Sequence, residues 1–392
     1  MNKGMLVSEL RSRYPKALGI RKRLAKGRVM LIQKHIIPAE EAKWAEENKQ
    51  QAEIVKKYRK KWKQYFAPME KKIEMLLQQA SCYKERKDKE FLQTDMLFCW
   101  IAYGFQPDEY LCFELEGKSF AERKEYISDT DRYSYVYSIC DISDMQMFLN
   151  KIKTYQMFHD FYKRDAVQIR KKSDYGRFEA FVNKHKEFVK KKACASRGSG
   201  VELVRFEELG MSVKEYFEKL LRSGRYLLEE RIEQGIETAC LNRSSVNTVR
   251  CVTFYSRQEI MIPYCFIKVG KNGSFIDNGG AGGILVGIDN GTGVLNTDGY
   301  DELNRKYEVH PNSKVQFKGF QLPEWEKMKS ICVKLAQRMP SVKYIGWDMA
   351  YSTKGWVVVE GNMGQFIGQQ IVWKKGIKKE VDHIMESIDK AI

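Results

Sequence analysis

An α+β catalytic region behind a basic helical stretch is the fold class that this sequence predicts, and three observations predict it. From about residue 185, short β-branched segments recur between Gly, Asn, Asp and Ser turns, at 188–191, 201–206, 248–255, 261–269, 283–288, 344–349 and 356–359. Helix-period segments intervene at 212–222 and 323–338. Strands and helices mixed in this way indicate an α/β or α+β region. Residues 1–93, by contrast, read as helix with a heavy basic bias.

Length and composition support a folded chain of several parts. The 392 residues suit two or three packed subdomains, and 43% hydrophobic with 12% aromatic residues is ample to build their cores. Disorder throughout the chain is thereby excluded. The longest apolar runs, such as Ile284-Leu285-Val286-Gly287-Ile288, fall far short of the roughly 20 residues that cross a bilayer. Met1 leads into Glu9 and a basic stretch with no apolar segment behind it, so no secretory leader is expected. Nine cysteines are scattered singly with no CxxC pair, which argues against a disulfide framework and a zinc knuckle. The expected compartment is therefore reducing: the cytoplasm.

The formal charge of +17 implies an acidic partner. No nucleic-acid module signature accompanies it, so nucleic acid is not expected. The densest basic block is Lys56-Lys57-Tyr58-Arg59-Lys60-Lys61-Trp62-Lys63, with Ile73, Met75, Leu76 and Leu77 behind it as an apolar face. Such a block is either a solvated helical face or a docking surface for phospholipid headgroups or a charged substrate. Gly104-Phe105-Gln106-Pro107-Asp108 is the first clear punctuation, and a helix-like segment runs from Asp144 towards Arg164. The organisation expected is a basic helical region at 1–93, an intermediate region at 94–150 and a catalytic region at 151–392.

Three constellations carry chemistry. The first is Lys191-Lys192-Ala193-Cys194-Ala195-Ser196-Arg197-Gly198-Ser199-Gly200, between two strand signals. Glycines there let backbone N–H groups approach an anion, Ser196 and Ser199 add hydroxyls, and a strand-end lysine neutralises phosphate. It lacks the Gly-Lys-Ser/Thr ending of a P-loop, and a plain hairpin turn would use the same glycines. The second is a hairpin: strand 344–348, turn Ser352-Thr353-Lys354-Gly355, and return strand 356–362. Period two puts Glu360 and Asn362 on one face, with Asp348 across from the start of that pair. Two carboxylates and an amide oxygen suit Mg²⁺, and an ordinary polar hairpin end is the alternative. Glu360 follows three valines at the rim of a buried sheet, where a carboxylate needs a partner, which favours the metal. The third is Arg225-Tyr226-Leu227-Leu228-Glu229-Glu230-Arg231-Ile232, an apolar strand ending in paired carboxylates. It suits either a slot for a nucleotide base or a surface strand with a charge cluster.

Read in order, these pieces resemble the ATP-grasp superfamily. The closer likeness is to the sugar-transfer-associated ATP-grasp proteins of bacterial polysaccharide and capsule clusters. It is carried by Ser245-Val246-Asn247-Thr248-Val249-Arg250, Asp277-Asn278 with Gly282-Gly283-Ile284, His310-Pro311, and Gly346-Trp347-Asp348. Tyr103-Gly104-Phe105-Gln106-Pro107-Asp108-Glu109-Tyr110 adds to it, and the likeness runs from about residue 95 to 375. The fold this implies is the ATP-grasp fold, two α+β subdomains clasping ATP. The resemblance implies that Lys191 and Lys151 contact the nucleotide phosphates, with the loop Ser196, Arg197, Gly198, Ser199 and Gly200 around them. Glu229, Glu230 and the backbone near Ile232 fall at the adenine hinge. Asp348, Glu360 and Asn362 match the metal ligands, and Arg250 the arginine that steadies the transferred phosphoryl group or the acyl intermediate. Two positions depart from the pattern: Lys192 stands where a proline is usual, leaving Lys190 and Lys192 as alternatives to Lys191, and Ala195 replaces a glycine.

The implied chemistry is carboxylate–amine ligation through an acyl phosphate, dependent on ATP and Mg²⁺. Sugar phosphorylation on the same scaffold is the alternative, and a non-enzymatic basic binding protein a further one. The partner expected is an anionic small molecule or glycan, with possible peripheral contact of Lys56–Lys63 with the inner membrane face. Among the five histidines, His310 is expected to be structural.

Overall fold

The computed structural model describes residues 26–195, 200–256, 259–275, 277 and 282–389. Ser196, Arg197, Gly198 and Ser199 therefore lie outside the described residues. Two compact units emerge from the chain's contacts. One takes the described residues up to Ile142 together with 364–370 and 374–389; the other takes Ser143–Met363 and Ile371–Trp373.

The first unit is helical. Its first four longer helices are α1 (Ala39–Glu47), α2 (Gln51–Lys61), α3 (Lys63–Gln79) and α4 (Lys89–Tyr103). Apolar residues of α3 recur at helical spacing, so Phe66, Met69, Ile73, Leu76 and Leu77 are buried. Met75, expected with them, is half exposed because it sits about 100° round the helix from its neighbours. Helix α4 is buried on nearly every side and stops at Gly104, whose φ of +78° closes the last turn without a Cβ clash. Gln106-Pro107 then opens α5 (Pro107–Cys112), with Glu109 reaching back to the Gln106 N–H at 2.7 Å. Beneath α4, buried Arg123 is held by Asp95 at 2.7 Å and Glu46 at 3.0 Å. Tyr110 and Tyr103 donate to the same two carboxylates. A buried charge set with every member partnered fixes one packing of these helices.

The second unit holds both sheets. A four-stranded sheet has the order β1-β4-β2-β3, with β1 at Ala166–Ile169, β2 at Glu187–Lys192, β3 at Val201–Arg205 and β4 at Tyr226–Glu230. Helix α6 (Lys151–Tyr162) precedes it and packs Ile152 against Leu227 and Ala193 on one face. Helices α7 (Tyr175–Lys184) and α8 (Val213–Ser223) cover the other, packing Phe178, Phe181, Phe217 and Leu220 on Phe188 and Leu228. A seven-stranded antiparallel sheet follows, in the order β11-β10-β5-β6-β7-β8-β9. Its strands are β5 Thr248–Tyr255, β6 Ile260–Val269, β7 Ile284–Ile288, β8 Leu295–Tyr300, β9 Lys306–Tyr307, β10 Tyr344–Ser352 and β11 Gly355–Met363. Helix α9 (Trp325–Gln337) packs on β5, β6 and β10.

The predicted strands fall within a few residues of β2, β3, β4, β5, β6, β7, β10 and β11, whereas β1, β8 and β9 were not predicted. Strand β4 lies between β1 and β2 with four of its five residues buried, which rules out the surface-strand reading of the Glu229-Glu230 segment. All nine cysteines are free. Among the described residues, no helix is long and apolar enough to cross a membrane.

Candidate functional site

The site begins at the β10–β11 hairpin. Ser352 pairs with Gly355, so a two-residue turn at Thr353-Lys354 fixes the register, and Asp348 falls opposite Glu360. A β-bulge follows Asp348, where Met349 pairs with Val358. Glu360 and Asn362 share a face, and Asn362 Nδ2 reaches Glu360 Oε1 at 3.3 Å and Asp348 Oδ2 at 3.0 Å. The three residues predicted to hold a metal thus meet at one spot. Just before Asp348 on the chain, Trp347 points the opposite way into the core, edge-on to Phe148 and Phe158, with its N–H on Thr253 Oγ1. It anchors the strand that carries Asp348, and a buried tryptophan of this kind stabilises by about 3–5 kcal/mol.

Strand β5 supplies the next group. Arg250 lies directly opposite Asp348 and binds it twice, Nε to Oδ1 at 2.6 Å and Nη2 to Oδ2 at 3.1 Å. Lys268, one strand further on, donates to Asp348 Oδ2 at 3.0 Å. Burial pushes the Asp348 carboxyl up, but Arg250 and Lys268 outweigh it and hold the group well below the usual carboxylate range. Beside Lys268, Thr248 donates to the half-buried Asp277. Burial raises the Asp277 carboxyl to about 6, against the pull of Lys268 and the Thr248 hydrogen bond.

The four-stranded sheet contributes a second group. Alternation along β2 turns Lys191 inward, where its Nζ donates to Glu229 Oε2 at 2.9 Å. Lys190 points the other way to Glu202, and Lys192 is exposed, so of the three lysines Lys191 is the one aimed at Glu229. Burial pulls the Lys191 ammonium below its ordinary value, and Arg164 adds to that against Glu229. Arg164 clamps Glu229 through Nε at 2.9 Å and Nη2 at 2.5 Å, and its Nη1 donates to the Val358 carbonyl of β11 at 2.8 Å. One buried guanidinium therefore ties β4 to β11. Lys151, at the start of α6, lies 3.5 Å from Glu360 Oε2 and donates to the Ala195 carbonyl at 2.8 Å. The Glu360 charge acts on Lys191 and Arg250 alike, so both groups feel one field.

Of the ten predicted residues that are described, Lys151, Lys191, Glu229, Arg250, Asp348, Glu360 and Asn362 converge, and Gly200, Glu230 and Ile232 stand apart. Glu230 faces away from Glu229, accepting from the Asp165 N–H at 2.9 Å and from Lys354 at 2.9 Å. Ile232 is half-buried in the extended link after β4, which runs beside the hairpin turn through Glu233 and Gln234. Gly200, with φ of +73°, accepts from the Lys192 N–H across the β2–β3 turn. Arg164, Lys268 and Asp277 are the additions that sequence reading missed. His310 is structural: Nε2 meets the Gly270 carbonyl at 2.8 Å, and Nδ1 accepts from the Ser313 N–H at 3.1 Å.

The model of the family described as "Sugar-transfer associated ATP-grasp" matches residues 130–386. The chain belongs to this family. No curated protein matches the sequence. Solved structures similar to this ATP-grasp chain include D-alanyl-alanine synthetase A from Vibrio cholerae, at 11% identity and TM-score 0.41, covering 64% of this chain and 67% of that one. A D-alanine-D-alanine ligase from Coxiella burnetii matches at 10% and 0.37, covering 64% and 60%. One from Bacillus anthracis complexed with ATP matches at 12% and 0.38, covering 64% and 68%. This chain thus spans less than two thirds of the Coxiella enzyme.

In this ATP-grasp chain the charge inventory of the site is informative. Lys151, Arg164, Lys191, Arg250 and Lys268 face Glu229, Asp348 and Glu360. Cations outnumber anions, so the assembled groups favour a ligand that carries net negative charge. The donor set also fits Mg²⁺, since Asp348 and Glu360 offer hard oxygens side by side and Asn362 an amide.

Proposed function

We propose that this ATP-grasp enzyme uses Mg²⁺-ATP to activate a carboxylate as an acyl phosphate and joins it to an amine. Its substrate in this reading is an anionic glycan or small-molecule precursor used in bacterial cell-surface polysaccharide synthesis, with the reaction on the cytoplasmic side, where ATP is. The observation that carries the reading is the meeting of Asp348, Glu360 and Asn362 inside a ring of cations.

Asp348, Glu360 and Asn362 would hold Mg²⁺, which when bound neutralises phosphate charge and polarises the phosphorus–oxygen bonds. Lys191 and Lys151 neutralise phosphate oxygens, and Glu229 with Arg164 keeps Lys191 aimed. The backbone that runs from the end of β4 to Ile232 would take the adenine, with the Glu230 side chain turned away from it to Lys354. Arg250 and Lys268 stand where negative charge accumulates on the transferring group. A carboxylate oxygen attacks the γ-phosphorus and ADP leaves. The amine then attacks the acyl carbon, phosphate departs with that oxygen, and the amine gives up a proton. Such a transfer depends on positioning and charge, which fits a site without a Ser-His-Asp or Cys-His arrangement.

Substrate labelled with ¹⁸O in its carboxyl group tests this. Ligation must deliver one labelled oxygen into free phosphate. If both labelled oxygens stay on the substrate and phosphate remains esterified to a sugar hydroxyl, the reaction is phosphorylation and the ligase reading is wrong.

A further inference from the structure

The chain's positive charge is concentrated at one end. Residues 1–93 hold 24 Lys and Arg against 11 Asp and Glu, which is 13 of the 17 net charges of the whole protein. Within the described part of that stretch, a short helix at 26–32 presents Met30, Leu31 and Ile32 to solvent, Met30 and Leu31 with about 70% of their surface exposed. Three consecutive exposed apolar side chains are a cost unless something covers them.

Lys34 and His35, just after this helix, pin it beside the basic block. Lys34 donates to the Tyr65 hydroxyl at 3.1 Å and stands over the Tyr65 ring at 4.6 Å. The His35 ring lies 3.8 Å from that of Tyr65 and 5.5 Å from that of Trp62. Tyr65 and Trp62 sit at the α2–α3 junction, between Lys60, Lys61 and Lys63. Lys57 and Arg59 are already paired, with Glu41 and Glu70. Lys60, Lys61 and Lys63 are exposed and make no ion pair within 4.0 Å among the described residues, Lys61 feeling Glu41 only at longer range, and Lys61 lies over the Tyr58 and Trp62 rings. An apolar prong, two aromatic rings and unpaired ammonium groups thus occupy one neighbourhood.

We infer that this neighbourhood docks on an anionic lipid bilayer, with Met30 and Leu31 entering the interface and Lys60, Lys61 and Lys63 meeting phosphate headgroups. Apolar groups that gain nothing from a soluble polyanion gain from a membrane, and the cations supply the sign of charge that such a membrane attracts. The 25 residues that precede the helix add seven basic and one acidic side chain to the same end of the chain. The inference stands apart from the ATP reading, because binding to vesicles is measured without nucleotide.

The test is co-sedimentation of the full chain with vesicles of phosphatidylcholine, alone or mixed with phosphatidylglycerol, at about 0.1 M and about 0.5 M salt. Binding is expected to the mixed vesicles at the lower salt and to fall sharply at the higher. Reversing three charges as K60E, K61E and K63E should lower partitioning by about a hundredfold or more. Met30→Ser with Leu31→Ser should lower it by about tenfold, while binding to soluble heparin stays as in the parent. Both sets alter exposed side chains, and an unchanged melting curve confirms that each variant is folded. Binding to neutral vesicles as strong as to anionic ones, or none to either, would overturn the inference. So would full vesicle binding by the Met30/Leu31 variant, which would make this a polyanion surface of the kind that takes nucleic acid.

Discussion

Gly346 lies against the side chain of Arg250: a Cβ at that position would stand 2.8 Å from Arg250 Cδ and 3.4 Å from Nε. Gly346 and Asp348 share a face of β10, so the missing side chain is what lets the guanidinium lie along the strand and reach Asp348 with two bonds. Gly346→Ala should therefore displace Arg250, cost about 1–3 kcal/mol of stability and lower turnover well below that of the parent. Arg250→Ala should cost more, about 3–5 kcal/mol, because it strips a buried carboxylate of its main partner. Urea unfolding beside an ATP-consumption assay checks both. A Gly346→Ala protein with parental stability and turnover would show that the close approach is of no consequence.

Glu360 is half-buried, in contact with Lys151 and Asn362, and it makes no other ion pair among the described residues. Glu360→Gln keeps the shape of the side chain and removes its charge. Turnover should fall by about a hundredfold or more, as charge is lost where the phosphoryl group is held, while thermal unfolding stays near that of the parent. Near-normal turnover in a folded Glu360→Gln protein would place the metal elsewhere.

Much of this hairpin could be read from the sequence because its determinants are local. Alternation from Trp356 to Asn362 and the short turn at Thr353-Lys354 together leave one register, which sets Asp348 opposite Glu360. The Gly346-Trp347-Asp348 run joins three demands on adjacent residues: room for Arg250, an anchor in the core, and a carboxylate at the site. Lys268 and Arg164 escaped notice because their partners are far along the chain. Lys268 reaches Asp348 only through the β5–β6 register, in which it pairs with Thr248. Its one signal in the sequence is an ammonium group near the end of the apolar run in β6, where a charge needs a partner. Strands β1 and β8 were missed for a different reason. The first is four residues long at a sheet edge, and the second contains Asn, Asp and Gly, so neither has the β-branched run that marks the others.

The excess of cations over carboxylates should set the order in which ligands bind. Free Mg²⁺ approaching Asp348 meets Arg250 and Lys268 already in place, whereas Mg²⁺ carried by a nucleotide brings phosphates that these groups attract. Calorimetry should detect little binding of Mg²⁺ alone at millimolar concentration and clear binding of Mg²⁺ with a non-hydrolysable ATP analogue. Lys268→Met should move the two in opposite directions, strengthening the bare cation and weakening the nucleotide by about tenfold or more. Tight binding of Mg²⁺ to the unaltered protein without nucleotide would contradict this account.

Asp277 gives the site a pH dependence of a definite sign. Burial lifts its carboxyl from the ordinary 3.8 to about 6, although Lys268 and the Thr248 hydroxyl pull the other way. The fold thus prefers the neutral acid, and the folded state holds this proton at pH values where the unfolded chain has released it. The stabilising contribution is complete below about 3.8 and is lost as pH rises through about 6. Asp348 runs the opposite way: its carboxyl is held low in the fold, so its contribution is present above the ordinary carboxylate range and fades only in acid. A stability curve of the parent protein mixes the two, and a difference between proteins separates them. Asp277→Asn keeps a neutral group of the same size beside Thr248 and removes the titration. The melting temperature of the variant minus that of the parent should accordingly rise between pH 4 and pH 7, most steeply about midway between 3.8 and 6, and level off above 6. A difference that stays flat across that range would mean that Asp277 is already ionised in the folded protein, with Lys268 rather than burial setting its charge.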